Sequence, residues 1–318
     1  MTETRRAQLV DAFTREPMSG NPAGVVPDAT DLTDDQMASV AAELGASETA
    51  FVLASEEADR RLRYFTPEHE VDLCGHATIA AFRSLYDRAV VTADTYTVET
   101  AAGVFDIDVD ADGTVWLTQS PPEISPVDVD LSRVADALGL DEAALSEVAE
   151  DLPVARASTG LPFLVVPVGY FEQLSAVDPD HDAIERLCTE TDTQGLYAFT
   201  FDALESDATL HGRAFAPLLG IAEDPVTGTA GGAVAAYLRH HGALDQPDPL
   251  VFEQGHFLDR PGRVLVRTGH GADEADDAEA GGPGASDATP PQVGGHATVV
   301  LDGDLTIPVA ESDDIIQA

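Results

Sequence analysis

The alternation of apolar and polar positions changes period twice within the first fifty residues. AQLVDAF at 7–13 and AGVVPD at 23–28 are short apolar runs on either side of the turn-forming MSGNP, the pattern of two strands. The period then lengthens: Met37, Val40, Ala41 and Leu44 share one helical face, Thr33 can cap, Asp34 and Asp35 suit the positive helix start, and Gly45 ends the run. SETAFVL at 47–53 and RLRYFTP at 61–67 return to strand periodicity and lead into a helix at about 76–87. YTVETAAGVFDIDVDADGTVWLTQS at 96–120 predicts three strands with a turn at Asp112-Gly113, and the proline-rich SPPEISPVDVD at 120–130 predicts a linker.

The second half repeats this order loosely. LSRVADALGL at 131–140 and DHDAIERLCTET at 180–191 predict helices, the latter with Ile184 and Leu187 or Cys188 on its apolar side. ARASTGLPFLVVPV, GLYAFTF, TLHGRAFAP, GRVLVRT and HATVVLDGDLTIPV predict strands, and a helix at about 229–241 closes at Gly242. The segment at 271–290 is acidic and rich in Gly and Pro, with no core-forming residues, and predicts a surface insertion. Two of the predicted helices, ATIAAF after GH at 75–76 and AGGAVAAYL after GT at 228–229, present faces of small residues. Such a helix fits inside a curled sheet where leucines would not. The expectation is an α+β fold of two similar domains, 1–122 and 128–300, each a curled, barrel-like sheet of largely antiparallel strands around a central helix, with a cleft between them. Residues 301–318 form a final strand and tail that returns to the first domain.

Composition narrows the chemistry. The 318 residues carry 58 acids against 16 basic residues, for a net charge of −42, and every basic residue is arginine. An excess this large repels nucleic acid and anionic lipid and destabilises the compact state unless salt screens it, so adaptation to high salt is the expected reason for it. Without lysine, neither a pyridoxal-phosphate Schiff base nor a phosphate-binding P-loop can form. Two cysteines, no membrane-length apolar run and no leader-like N-terminus predict a soluble cytoplasmic protein without disulfides.

The two small-residue helices open on DLCGHAT and EDPVTGTA. A helix start leaves backbone N–H groups unpaired and carries partial positive charge, and glycine admits a ligand to the backbone. Gly75 and Ala77 in one half, and Gly228, Thr229 and Ala230 in the other, are therefore candidate anion-binding positions; ordinary caps with glycine for close packing are the alternative for either helix alone. Glu48, in an otherwise apolar strand pattern, fits an acid/base, although alternation also allows it a solvent-facing place. His76 at a helix start can polarise a carbonyl or relay a proton, or merely cap. Asp224, before Pro225, can serve either chemistry or a turn. No spacing fits a metal site: HEVDL at 69–73 fails the zinc-protease pattern at its last residue, and no G-x-S-x-G occurs.

FTREPMSGNPAGVV at 13–26, ASETAFV at 46–52, RYFTPEHEVDLCGHATIAA at 63–81, GRAFAPLLGIAEDPVTGTAGGAVAAYL at 212–238 and EQG at 253–255 together resemble the PhzF-like phenazine-biosynthesis family of the diaminopimelate-epimerase fold superfamily. The segment at 271–290 has no counterpart in that pattern. The resemblance implies a homodimeric isomerase acting on a small anionic metabolite without a cofactor. It sets the family's acid/base on Glu48, its histidine on His76 and its aspartate on Asp224, and replaces a family serine by Thr229. The two-cysteine epimerases of the superfamily would have their first thiol at Cys74 and their second near Thr227, which argues for a single carboxyl shifting a proton. An amino- or hydroxy-acid epimerase and a non-catalytic metabolite-binding protein are the competing expectations.

Overall fold

The computed structural model describes residues 2–244, 247–269 and 289–308. The acidic stretch at 271–290 falls outside them save for its last two residues. The chain divides into two compact units, residues 1–117 with 296–318, and residues 118–295.

The first unit runs β1 (Thr2–Ala12), β2 (Asn21–Val26), α1 (Asp34–Leu44), β3 (Thr49–Leu53), β4 (Arg60–Phe65), β5 (Glu70–Val71), α2 (Gly75–Asp87), β6 (Asp94–Thr100), β7 (Gly103–Val109) and β8 (Val115–Thr118). The second runs β9 (Glu123–Pro126), α3 (Leu131–Leu138), α4 (Ala143–Ser146), β10 (Ala155–Ser158), β11 (Pro162–Pro167), α5 (Phe171–Ser175), α6 (His181–Glu190), β12 (Gly195–Thr200), β13 (Leu210–Ala216), β14 (Ile221–Asp224), α7 (Gly228–His240), β15 (Leu250–Gln254), β16 (Gly262–Arg267) and β17 (Gln292–Gly295). The last strand, β18 (Ala297–Pro308), returns to the first unit and pairs antiparallel with β1 along its whole length.

The repeat is legible in the pairings. In the first unit β2 pairs parallel with β3 and β4 with β6; in the second β11 pairs parallel with β12 and β13 with β15. The remaining ladders, such as β3–β4, β6–β7, β12–β13 and β15–β16, are antiparallel. Each sheet wraps one helix of small residues. α2 buries Ala77, Ile79, Ala80, Ala81 and Phe82 against β1, β2, β3 and β18, and α7 buries Ala230, Gly231, Gly232, Ala233 and Val234 against β9–β11, β16 and β17. Gly232 shows why the helix must be narrow: a Cβ there would lie 1.8 Å from Gln119 Oε1, in a wall where Gln119 is itself held by Thr159.

Helix ends follow the sequence closely. Thr33 caps α1, its side chain accepting the Gln36 N–H while the Gln36 side chain accepts the Thr33 N–H, and Gly45 ends the helix in the left-handed region. Two local expectations change. The proline-rich 120–130 stretch holds β9, paired with β10 through Glu123–Ser158 and Pro126–Ala155. Glu48 lies one residue before β3 rather than within it. Among the described residues no helix is long and apolar enough to cross a membrane.

Candidate active site

Glu48 is set by a close strand approach. β3 lies against Gly24, where a Cβ would come 2.3 Å from Thr49 Oγ1, so glycine alone lets the Gly24 N–H donate to the Glu48 carbonyl at 2.9 Å. That pins the backbone and turns the carboxylate toward the start of α2. Glu48 Oε2 lies 3.4 Å from His76 Nε2, with the two side chains only 15% and 11% exposed. The approach has the distance of an ion pair without the direction of a hydrogen bond, and Oε2 is buried with no hydrogen-bond partner. A buried acceptor left with a spare lone pair is costly in a folded chain.

Two further side chains join it that the sequence pattern left aside. Cys74 Sγ lies 3.4 Å from His76 Nδ1 and 3.9 Å from its Nε2, and Ser47 Oγ lies 3.5 Å from Nε2. The signal for Cys74 was present in CGH, but its nearness to Glu48 depends on a long-range pairing that no local spacing encodes. Neither Cys74 nor Cys188 forms a disulfide. The floor of this corner is hydrogen-bonded. Thr78 Oγ1 donates to the Cys74 carbonyl at 2.7 Å and meets Tyr64 OH at 2.7 Å, and complete burial pushes the Tyr64 phenol up, so it stays neutral.

Gly75, His76 and Ala77 form the first turn of α2, and Gly228, Thr229 and Ala230 the first turn of α7. Their N–H groups have no acceptor within their own helices. Unlike α1, neither helix carries a side-chain cap: Cys74 and Thr227 occupy the cap positions without bonding back. Both starts therefore offer backbone donors to an anion.

In the second unit Asp224 ends β14 and accepts the Thr227 hydroxyl at 2.5 Å. Gln254, missed from the sequence as a positioning group, ties this turn together. Its Nε2 donates to the Asp224 carbonyl at 2.8 Å and to Thr227 Oγ1 at 3.1 Å, and its Oε1 accepts the Thr227 N–H at 3.1 Å. Only the β13–β15 pairing brings 254 beside 224–227. Burial, with the Asp224 charge nearby, pushes the Tyr197 phenol up. Behind the strand, Arg213 grips Glu223 with two bonds of 2.9 and 2.8 Å. Gly255 follows Gln254 at φ +85°, where a Cβ would come 2.3 Å from the Arg260 carbonyl oxygen and 2.6 Å from that of Pro225. We expect Gly255→Ala to destabilise the protein by about 2 kcal/mol or more, left-handed strain adding to the clash. Denaturant melts showing an unchanged midpoint would remove Gly255 from this account.

Of the predicted residues, Glu48, Gly75, His76 and Ala77 thus meet in the first unit, and Asp224, Gly228, Thr229 and Ala230 cluster in the second.

A sequence model of the PhzC-PhzF family, described as phenazine biosynthesis-like protein, matches residues 10–303. The chain belongs to the PhzC-PhzF family, a family of isomerases. It is 38% identical over 261 residues to an uncharacterised isomerase of Bacillus subtilis, covering 80% of this chain and 88% of that protein. It is 30% identical over 284 residues to trans-2,3-dihydro-3-hydroxyanthranilate isomerase of Pseudomonas aeruginosa, covering 88% and 96%. Among solved structures, a PhzF-family protein of Bacillus anthracis superposes with a TM-score of 0.83 at 31% identity, over 95% of this chain and 99% of that one. A hydroxyproline epimerase from Agrobacterium vitis shares the fold alone, with a TM-score of 0.59 at 13% identity over 96% of this chain and 92% of that one. The PhzC-PhzF chain is accordingly an α+β protein of the diaminopimelate-epimerase fold.

Proposed function

We propose that this PhzC-PhzF protein catalyses a cofactor-independent proton shift on a small carboxylate-bearing metabolite, with Glu48 as the acid/base. The observation that carries the reading is the buried, unpartnered Glu48 Oε2 beside His76 at an uncapped helix start. The substrate carboxylate or carbonyl oxygen rests on backbone N–H groups of Gly75–Ala77. Glu48 takes a proton from a carbon next to an unsaturated system, and the released electron pair moves into that system toward the held oxygen, where the N–H donors stabilise the charge. The proton returns at another atom of the same molecule, from Glu48 or by relay through His76. Atoms and charge balance without a further reactant. The test incubates the protein in D2O with a panel of small unsaturated carboxylates, trans-2,3-dihydro-3-hydroxyanthranilate among them because a relative is named for it. NMR should show deuterium entering a new carbon together with a moved double bond. Deuterium at an inverted stereocentre would make the protein an epimerase, and a ligand bound with no exchange would make it a binding protein.

The protein is further proposed to be a cytoplasmic homodimer suited to concentrated salt. Surface arginines are already engaged, as in Arg63 with Asp34 and Glu70, both at 2.6 Å, and Arg263 with Asp207 at 2.6 Å. Such pairing leaves the excess of −42 unanswered. Raising salt from 0.1 to 1 M shortens the Debye length from about 10 to about 3 Å. Relief of a few kcal/mol of self-repulsion should then raise Tm by roughly 10 °C. A Tm independent of KCl would overturn the salt reading, and light scattering tests the dimer.

A further inference from the structure

We propose that Glu48, Cys74 and His76 form a site for a thiophilic divalent cation, Zn2+ being the ion that fits best. One ligand atom from each of the three lies within 4.8 Å of the others. A tetrahedral zinc with bonds of about 2.0–2.3 Å sets its ligand atoms roughly 3.3–3.6 Å apart. With Nε2 as the imidazole ligand, the nitrogen-to-carboxylate edge is already 3.4 Å and the nitrogen-to-sulfur edge 3.9 Å. The remaining sulfur-to-carboxylate edge, no longer than 4.8 Å, closes by at most about 1.3 Å, within the reach of a Glu side-chain torsion.

The chemistry of the set points the same way. A thiolate with an imidazole selects zinc over magnesium or calcium, which take oxygen ligands. Cys74 is 8% exposed, and the other two side chains are 11% and 15% exposed, so the ion would sit in a partly dehydrated corner. Glu48 Oε2 arrives with an unused lone pair. Cys74 caps α2 without bonding to it, which leaves its side chain at the helix mouth beside the imidazole. Three protein ligands leave a fourth position open to water. Sequence spacing hid this set because Glu48 is remote along the chain from CGH. The ion competes with catalysis for Glu48, so it inhibits; that consequence rests on the acid/base reading above, whereas the binding does not.

Binding is tested on the untagged, metal-stripped full chain in the absence of substrate. Co2+ should give a near-ultraviolet thiolate-to-metal charge-transfer band that saturates at one ion per chain and is abolished by Zn2+. Cys74→Ser should remove the band and weaken Zn2+ at least tenfold against a chromogenic chelator, with circular dichroism confirming its fold. Glu48→Gln should keep the band and weaken Zn2+ by a similar factor, and Cys188→Ser should change neither. A wild-type chain with no thiolate band, or a Zn2+ affinity indifferent to Cys74→Ser, overturns the site and assigns any cation uptake to the acidic surface. The two readings fail separately. Absent metal binding leaves the role of Glu48 in turnover untouched, and turnover retained in Glu48→Gln leaves the metal site untouched.

Discussion

Glu48→Gln should lower turnover by about 10²–10⁴-fold while substrate affinity changes little, because the amide keeps the shape and volume of the side chain but cannot take a proton. The isostere matters here. Glu48 packs at the mouth of α2 beside His76 and Ser47, so truncation to alanine would open space and let water in, confusing loss of chemistry with loss of shape. The measurement is deuterium exchange into a substrate identified by the carboxylate panel, compared at saturating concentration, with affinity taken from a separate titration. His76→Asn serves as a graded comparison. A group that orients the substrate or relays the proton should cost less than the base itself, so the histidine variant should lie between wild type and Glu48→Gln. Turnover in Glu48→Gln within a few-fold of wild type would end the acid/base assignment.

The second large effect is expected on stability. Arg213 is nearly buried; besides its paired bonds to Glu223 it donates to the carbonyls of Leu174 and Val177 at 3.2 and 3.0 Å. Its guanidinium also lies over Phe257 at 4.7 Å and over Phe215 at 5.2 Å. Arg213→Ala leaves the Glu223 carboxylate without its partner, takes a donor from two carbonyls and empties the space above two rings. Removing one member of a buried pair costs about 3–5 kcal/mol, and chemical denaturation should register a loss of that size. Arg213→Met with Glu223→Gln should recover a good part of it, since that pair removes both charges together. A single variant that melts at the wild-type denaturant concentration would show that the pair does not hold this strand.

Local rules carried much of the fold. The Thr33–Gln36 box and Gly45 delimit α1 to the residue, and the runs of small residues mark α2 and α7 as the helices enclosed by the sheets. The failures have physical reasons. β9 is hidden because Pro126 lacks an N–H and reads as loop, yet at the end of a four-residue strand that loss is tolerated. β17 is Gln-Val followed by two glycines, too short a pattern to read as a strand, and non-local pairing such as its ladder to β16 makes it one. Glu48, His76 and Asp224 were singled out as candidates through the family resemblance, and the helix starts through their glycines. The corner that Cys74 shares with Glu48, and the clamp that Gln254 puts on the Asp224–Thr227 turn, arise from non-local pairings and leave no trace in local spacing.

The return of β18 to β1 has a consequence for biogenesis. As the polypeptide leaves the ribosome, the N-terminal unit lacks its closing strand until nearly three hundred residues have been made, whereas the C-terminal unit is a continuous stretch and is already complete. The part synthesised first is thus finished last. Throughout that interval the outer side of β1 is an open ladder of N–H and C=O groups, the kind of edge on which nascent chains associate. Premature termination just before Ala297 should leave an intact second unit joined to a first that cannot close.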